Sequence, residues 1–191
     1  MITLGTGVGS GIVVNGQMVY GSDGMAGELG HVIVEKNGRQ CGCGRKGCLE
    51  TYCSATGIAR TGREVLETTD KPTILRDIPL EQLDGLAITQ AARKGDAVAL
   101  EIFEYTGRIL GEACADFACI NSPEAFIFFG GLSKAGDLIM NPIKKAYDEN
   151  VLKIYKGKAK FLLSQLDDAK AAVLGASAIG WEIAQREPVQ N

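Results

Sequence analysis

One histidine and three cysteines fall in a single stretch, GELGHVIVEKNGRQCGCGRKGCLE, running from Gly27 to Glu50. The thiols of Cys41, Cys43 and Cys48 and the imidazole of His31 make a complete tetrahedral ligand set for zinc. Four protein ligands leave no position for a catalytic water, so a metal held this way is structural. Gly42, Gly44 and Gly47 interrupt the cysteines and permit the tight backbone path needed to aim three sulfurs at one point. A set of reduced thiols without metal is the competing reading, because Cys-x-Cys is less diagnostic than paired Cys-x-x-Cys. Cys53 competes for the fourth position with His31. Two carboxylates, Glu28 and Glu50, stand just outside the ends of the loop.

Two glycine-rich turns are the other candidates. GTGVGSG, with glycine at 5, 7, 9 and 11, joins strand to strand, so it is neither a dinucleotide fingerprint opening a helix nor a Gly-Lys-Ser/Thr phosphate loop. Its N–H groups and the Thr6 and Ser10 hydroxyls suit a phosphate nest, and an ordinary hairpin entry explains it equally well. Gly130-Gly131 follows an apolar run and precedes a helix, the geometry in which open α/β sheets bind nucleotides outside the strand ends. A tight strand-to-helix turn accounts for it too.

Composition narrows the class. The 191 residues suffice for one core, or a core with a small lobe. A net charge of −3 and a pI near 5.3 argue against a surface built mainly for nucleic acid or anionic lipid. The chain carries no apolar run of membrane-spanning length, and MITLGTGVGSG lacks the basic and apolar regions of a signal peptide. A soluble, cytoplasmic protein is expected. The six cysteines suit reduced thiols plus a metal better than a disulfide scaffold.

Periodicity supplies the supporting elements. Ile2–Leu4 is a short strand; Gly11–Val14 and Gln17–Tyr20 flank Asn15-Gly16, the strongest two-residue hairpin signal. His31–Glu35 alternates as a strand. Ser54 caps a helix to about Glu67, a short helix covers Leu86–Arg93, and Asp96 caps a long helix to about Ile120. The long helix places Phe103, Leu110 and Phe117, with Thr106, Ala113 and Ile120, on one buried face. Ala125–Phe129 reads as a strand buried on both faces. A helix bent or broken at Asn141-Pro142 follows, then strand Ala159–Ser164, a loop over Leu166–Lys170 and a small-residue helix, Ala171–Gln185. The order predicts α/β with a mixed sheet.

The segments LGTGVGSGI, GELGH, CGCGRKGCLE, INSPEAF, FFGGLS and GASAIG together resemble the ROK family, which comprises bacterial glucokinase-type sugar kinases, N-acylmannosamine kinases and sugar-responsive repressors. The resemblance covers essentially the whole chain and implies an actin-like ATPase (ribonuclease H-like) fold, of which residues 1–191 form the larger, C-terminal lobe. It implies Gly5, Thr6 and Gly7 beside the ATP phosphates and Gly130 and Gly131 beside the adenosine. Glu28, His31 and Glu50 would surround the sugar hydroxyls, with His31 also ligating zinc, and Mg2+ would bridge the phosphates. Ionised carboxylates accept from two hydroxyls at once and suit that task, although solvated loop acids have the same sequence signature. A homodimer is implied as well, and the last helix is expected to pack near an N-terminal lobe, leaving Val173, Leu174 and Ile179 exposed without it.

The resemblance has one gap. Neither Asp-x-Gly-x-Thr nor an Asn-Asp pair occurs in the chain, so no residue is assigned as the base that accepts the sugar proton. The leading expectation is therefore an ATP-dependent hexose kinase, glucose-directed as a parent protein, with this piece inactive alone. The alternatives are the sugar-sensing domain of a repressor, with nucleic acid as a partner only in that case, an N-acylmannosamine kinase, or a zinc-stabilised interaction domain without catalysis.

Overall fold

The computed structural model describes residues 1–185. Its centre is a four-stranded mixed sheet of order β2-β1-β5-β6, built from β1 (Ile2–Leu4), β2 (Val8–Ser10), β5 (Ala125–Phe129) and β6 (Lys160–Leu163). β2 runs antiparallel to β1, whereas β5 and β6 are parallel to it. A separate hairpin pairs β3 (Val13–Val14) with β4 (Gln17–Met18) across Asn15-Gly16, both with positive φ. The register matters for the site. Thr3 lies opposite Phe129, so the parallel strands β1 and β5 deliver both glycine turns to one edge of the sheet.

The helices are α1 (Glu50–Cys53), α2 (Ala55–Thr68), α3 (Gly85–Arg93), α4 (Ala97–Asn121), α5 (Asp137–Asn150) and α6 (Asp168–Gln185). Their starts follow capping chemistry: Ser54 Oγ accepts from Gly57 N, Asp84 Oδ1 from Ala87 N and Asp96 Oδ1 from Ala99 N. Gly107 and Gly111 cut a notch into α4 where α5 lies against it; a Cβ on Gly107 would sit 2.5 Å from Pro142 Cβ. Phe103, Leu110, Phe117, Ile139 and Ile143 fill the core beneath. α5 continues through Pro142 without interruption.

Several sequence expectations change. His31–Glu35 is not a strand: Leu29–His31 is one 3-10 turn, and only an Ile33–Cys48 bridge follows. The backbone wraps instead of pairing, because Val34 N and Glu35 N both turn to Gly47 O. The glycine run contains a strand of its own, β2, and the hairpin arms are shorter than their apolar residues suggested. Ile120 is 78% exposed, since it falls in the last turn of α4, beyond the packed face. β5 alternates, with Phe126 and Phe128 buried and the other three residues half-buried. The expected loop at Leu166–Lys170 already contains the first turn of α6.

Candidate functional site

The wrapped loop brings the four predicted ligands together. A ring nitrogen of His31 and the sulfurs of Cys41, Cys43 and Cys48 lie within 4.8 Å of one another. A zinc tetrahedron with arms of about 2.3 Å has edges of about 3.8 Å; Cys43 Sγ and Cys48 Sγ are 3.6 Å apart, and Cys41 Sγ is 3.7 Å from His31 Nδ1. Donor type, number and spacing all fit zinc. Cys53 does not join them, for it is buried under α4 with its thiol on Thr106 O; the residue that stands with the three thiols is His31. The six cysteines are unpaired.

The thiols differ in character. Burial, reinforced by the Glu50 carboxylate 3.0 Å away, pushes Cys41 up to about 12. Burial also raises Cys48, whereas the Arg45 backbone N–H lowers exposed Cys43. In the metal-free chain Cys41 therefore keeps its proton, which a metal must displace.

His31 connects this cluster to the acids. Its Nδ1, on the sulfur side, is 3.6 Å from Glu50 Oε1, while Nε2 points outward, 3.9 Å from Glu28 Oε2. The imidazole thus stands between the two predicted carboxylates. Glu50 is the more enclosed, with 24% of its side chain exposed against 66% for Glu28.

Glu50 also faces the first glycine turn. A cleft of about 370 Å³ is lined by Gly5, Thr6, Gly7, Glu50 and Gly130. A larger cavity of about 640 Å³ adjoins it and is lined by Thr6, Gly131, Leu83, Leu86, Leu132 and Arg63, among others. Thr6 stands at the junction, and α2 holds it there: Ala55 N donates to Gly5 O at 2.8 Å and Thr56 Oγ1 to Thr6 O at 2.7 Å.

The predicted glycines divide into two kinds. Gly130 has φ 101°, and a Cβ there would lie 2.8 Å from Leu4 O, so the sheet itself demands glycine. Gly5 and Gly131 have neither a positive φ nor a neighbour within 4 Å of a would-be Cβ. Packing gives no reason for glycine at these two positions, and both line the cavities.

Sequence reasoning missed Thr56, Arg63 and Arg39. Thr56 sits two residues beyond the Ser54 cap, and Arg39 is one of three basic residues in the loop that adjoin a glycine, with Arg45 and Lys46; neither signal is specific without the fold.

The fold and its site define a class: a mixed α/β fold of actin-like ATPase type, with glycine turns at the sheet edge and a His/Cys loop beside them. The sequence model of the ROK family matches residues 1–182, and the chain belongs to that family. It is 40% identical over 189 residues to a glucokinase of Halalkalibacterium halodurans, covering 98% of this chain and 56% of that protein. It is 31% identical to the DNA-binding transcriptional dual regulator NagC of Escherichia coli, covering 94% and 43%. A crystal structure of a ROK family glucokinase from Streptomyces griseus in complex with glucose and AMPPNP superposes with a TM-score of 0.84 at 36% identity, covering 93% of this chain and 58% of that one. The chain spans about half the length of the curated relatives it matches.

Proposed function

We propose that this chain is the sugar- and nucleotide-facing lobe of an ATP-dependent hexose kinase directed at glucose. The observation that carries the reading is the shared cleft: Glu50 lies against Gly7 of the turn assigned to phosphates while also bordering His31 and the cysteine loop. Sugar and phosphoryl group would meet there. Glu28, Glu50 and the outward Nε2 of His31 offer the polar atoms that fix a polyhydroxylated ring, and an unpaired group on a wrong sugar would be costly. The open positions at Gly5 and Gly131 suit the close approach of a nucleotide, with Thr6 and Gly7 beside its phosphates and Gly130 turning the chain at its base.

Zinc on His31, Cys41, Cys43 and Cys48 would hold the loop's shape and supply no reaction chemistry. The phosphate cleft offers one carboxylate, that of Glu50, so the residues here do not by themselves hold Mg2+; it belongs with the nucleotide phosphates. Phosphoryl transfer depends chiefly on positioning, which these residues provide. A proton acceptor is not assigned among them.

The rest of the reading follows the family. Residues 1–191 are assigned as the C-terminal lobe of a cytoplasmic homodimer. α6, with Val173, Leu174, Ile179 and Trp181 exposed, is assigned to packing against a further lobe. No described helix is long and apolar enough to cross a membrane.

The test is expression of the longest reading frame that contains these residues, assayed for ATP-dependent phosphorylation of glucose, with E50Q as the control. Activity lost in E50Q supports the reading; a full-length protein that binds glucose but not AMPPNP overturns it in favour of a sugar-sensing repressor, the reading favoured by the NagC likeness. Residues 1–191 alone are expected to be inactive.

A further inference from the structure

The cysteine loop is fastened to the body of the lobe at a second point that contains no metal ligand. Arg39 lies inside the loop and is 7% exposed. Its Nη1 donates to Thr51 O at 2.7 Å and to Gly57 O at 3.2 Å; its Nη2 donates to Thr61 Oγ1 at 2.9 Å and to Glu64 Oε2 at 2.5 Å. The guanidinium lies over the Tyr52 ring, 4.4 Å from its centre. The residue's backbone is engaged as well. Arg39 N donates to Tyr52 Oη at 3.0 Å, and Arg39 O accepts from Gly47 N at 2.8 Å. Gly38 leaves room for this, since a Cβ there would collide with Tyr52 Oη.

A buried guanidinium must satisfy most of its donors, and its planar fork matches several acceptors at once. Here the acceptors are not scattered. Thr51 follows Glu50 directly, and Gly57 packs on Glu50 O, where a Cβ would lie 2.9 Å away. Thr51, Gly57 and Glu50 line one cleft with Thr6, Gly7 and Arg60. Glu64, which takes Nη2 of Arg39, also accepts from Arg60 Nε at 2.8 Å. One side chain therefore joins the cysteine loop to the corner bearing Glu50 and, through Glu64, to Arg60, which lines the same cleft.

We propose that Arg39 is a positioning residue that holds loop 38–48 in its metal-ready shape before any metal arrives and ties that shape to the placement of Glu50. The part concerning metal rests on the zinc reading above; the part concerning loop order does not.

Hydrogen exchange on the chelator-treated chain tests it, with the amides of Cys41, Gly44 and Gly47 as reporters, because each donates within the loop. In the metal-free wild type these exchange slowly. R39M should speed them by at least about ten-fold while the amides of α4 stay unchanged, and should weaken zinc in chelator competition by about ten-fold or more, as outer-shell losses do. R39K, which keeps the charge but lacks the fork, should resemble R39M. Equal acceleration in loop and α4 means a general stability role and overturns the proposal, as does R39K behaving like wild type. Should R39M fail to fold, E64Q removes one acceptor and should loosen the same amides to a smaller degree; no change in E64Q together with wild-type behaviour of R39K is likewise fatal. A wild-type chain that takes up no zinc sinks the metal reading, and the exchange comparison still decides the role of Arg39.

Discussion

Gly7 and Glu50 are in such close register that a Cβ on Gly7 would lie 2.6 Å from Glu50 Oε2. Residues far apart in the chain, one in a turn assigned to phosphate and one at the edge of the cysteine loop, thus share a single van der Waals boundary. The colliding atom is the far end of a flexible side chain and φ at Gly7 is ordinary, so G7A should fold with little loss of stability. It should push the carboxylate aside. Glucose affinity of the full-length protein is expected to fall by about ten-fold, about 1.4 kcal/mol, with an unchanged melting temperature. Unchanged affinity would remove Glu50 from the sugar's surroundings.

Purified without added metal, the chain should carry about one zinc, and C43A or C48A should lose it. Because burial holds the Cys41 proton in place in the metal-free chain, with Cys41 pushed up to about 12, zinc uptake at neutral pH must release protons. Titration in buffers of different ionisation enthalpy counts them, and retention should weaken as pH falls. Uptake without proton release contradicts thiolate ligation.

The two adjacent glycines separate structure from binding. G130A places a Cβ against Leu4 O at a φ of 101° and should cost about 1–3 kcal/mol in urea unfolding. G131A enters open space and should leave stability alone while weakening AMPPNP in the full-length protein. Equal stabilities for the two variants would mean that the β1–β5 junction is less tight than it stands here.

Asp96 joins the start of α4 to the 3-10 turn at Ile74–Asp77: its carboxylate accepts from Ala99 N, Ile74 N and Thr73 Oγ1. Burial raises its pKa, but these donors outweigh burial and hold it below the ordinary value. A depressed carboxylate stabilises fully above the unfolded value of about 3.9, and the contribution disappears as pH falls through the folded value. D96N should lower stability at neutral pH by about 1 kcal/mol and flatten the acid limb of a urea-midpoint-against-pH curve. A parallel downward shift without flattening would assign the loss to something other than charge.

Trp181, the one tryptophan of the chain, is 68% exposed on α6, and Leu174 and Ile179 of the same helix are exposed too. Residues 1–191 alone should self-associate with rising concentration, and the tryptophan emission should move to the blue as they do. A clean monomer by light scattering at high concentration, with unshifted emission, contradicts an unpartnered apolar helix.

Local chemistry alone was enough to determine much of this protein. Caps at Ser54 and Asp96, the Asn15-Gly16 turn and the apolar spacing of α4 act over a few residues, so their elements were legible; donor type at His31, Cys41, Cys43 and Cys48 marked them as a set that could hold zinc. Tertiary structure decided what depends on chain crossing. It set His31 and not Cys53 beside the three thiols by burying Cys53 beneath α4, turned the expected strand at His31–Glu35 into a wrap around Gly47, and brought Glu50 against Gly7. It also made Arg39 the second fastening of the loop. A guanidinium's partners are backbone oxygens and hydroxyls that many segments possess, and only the folded path of α1 and α2 selects the ones within reach.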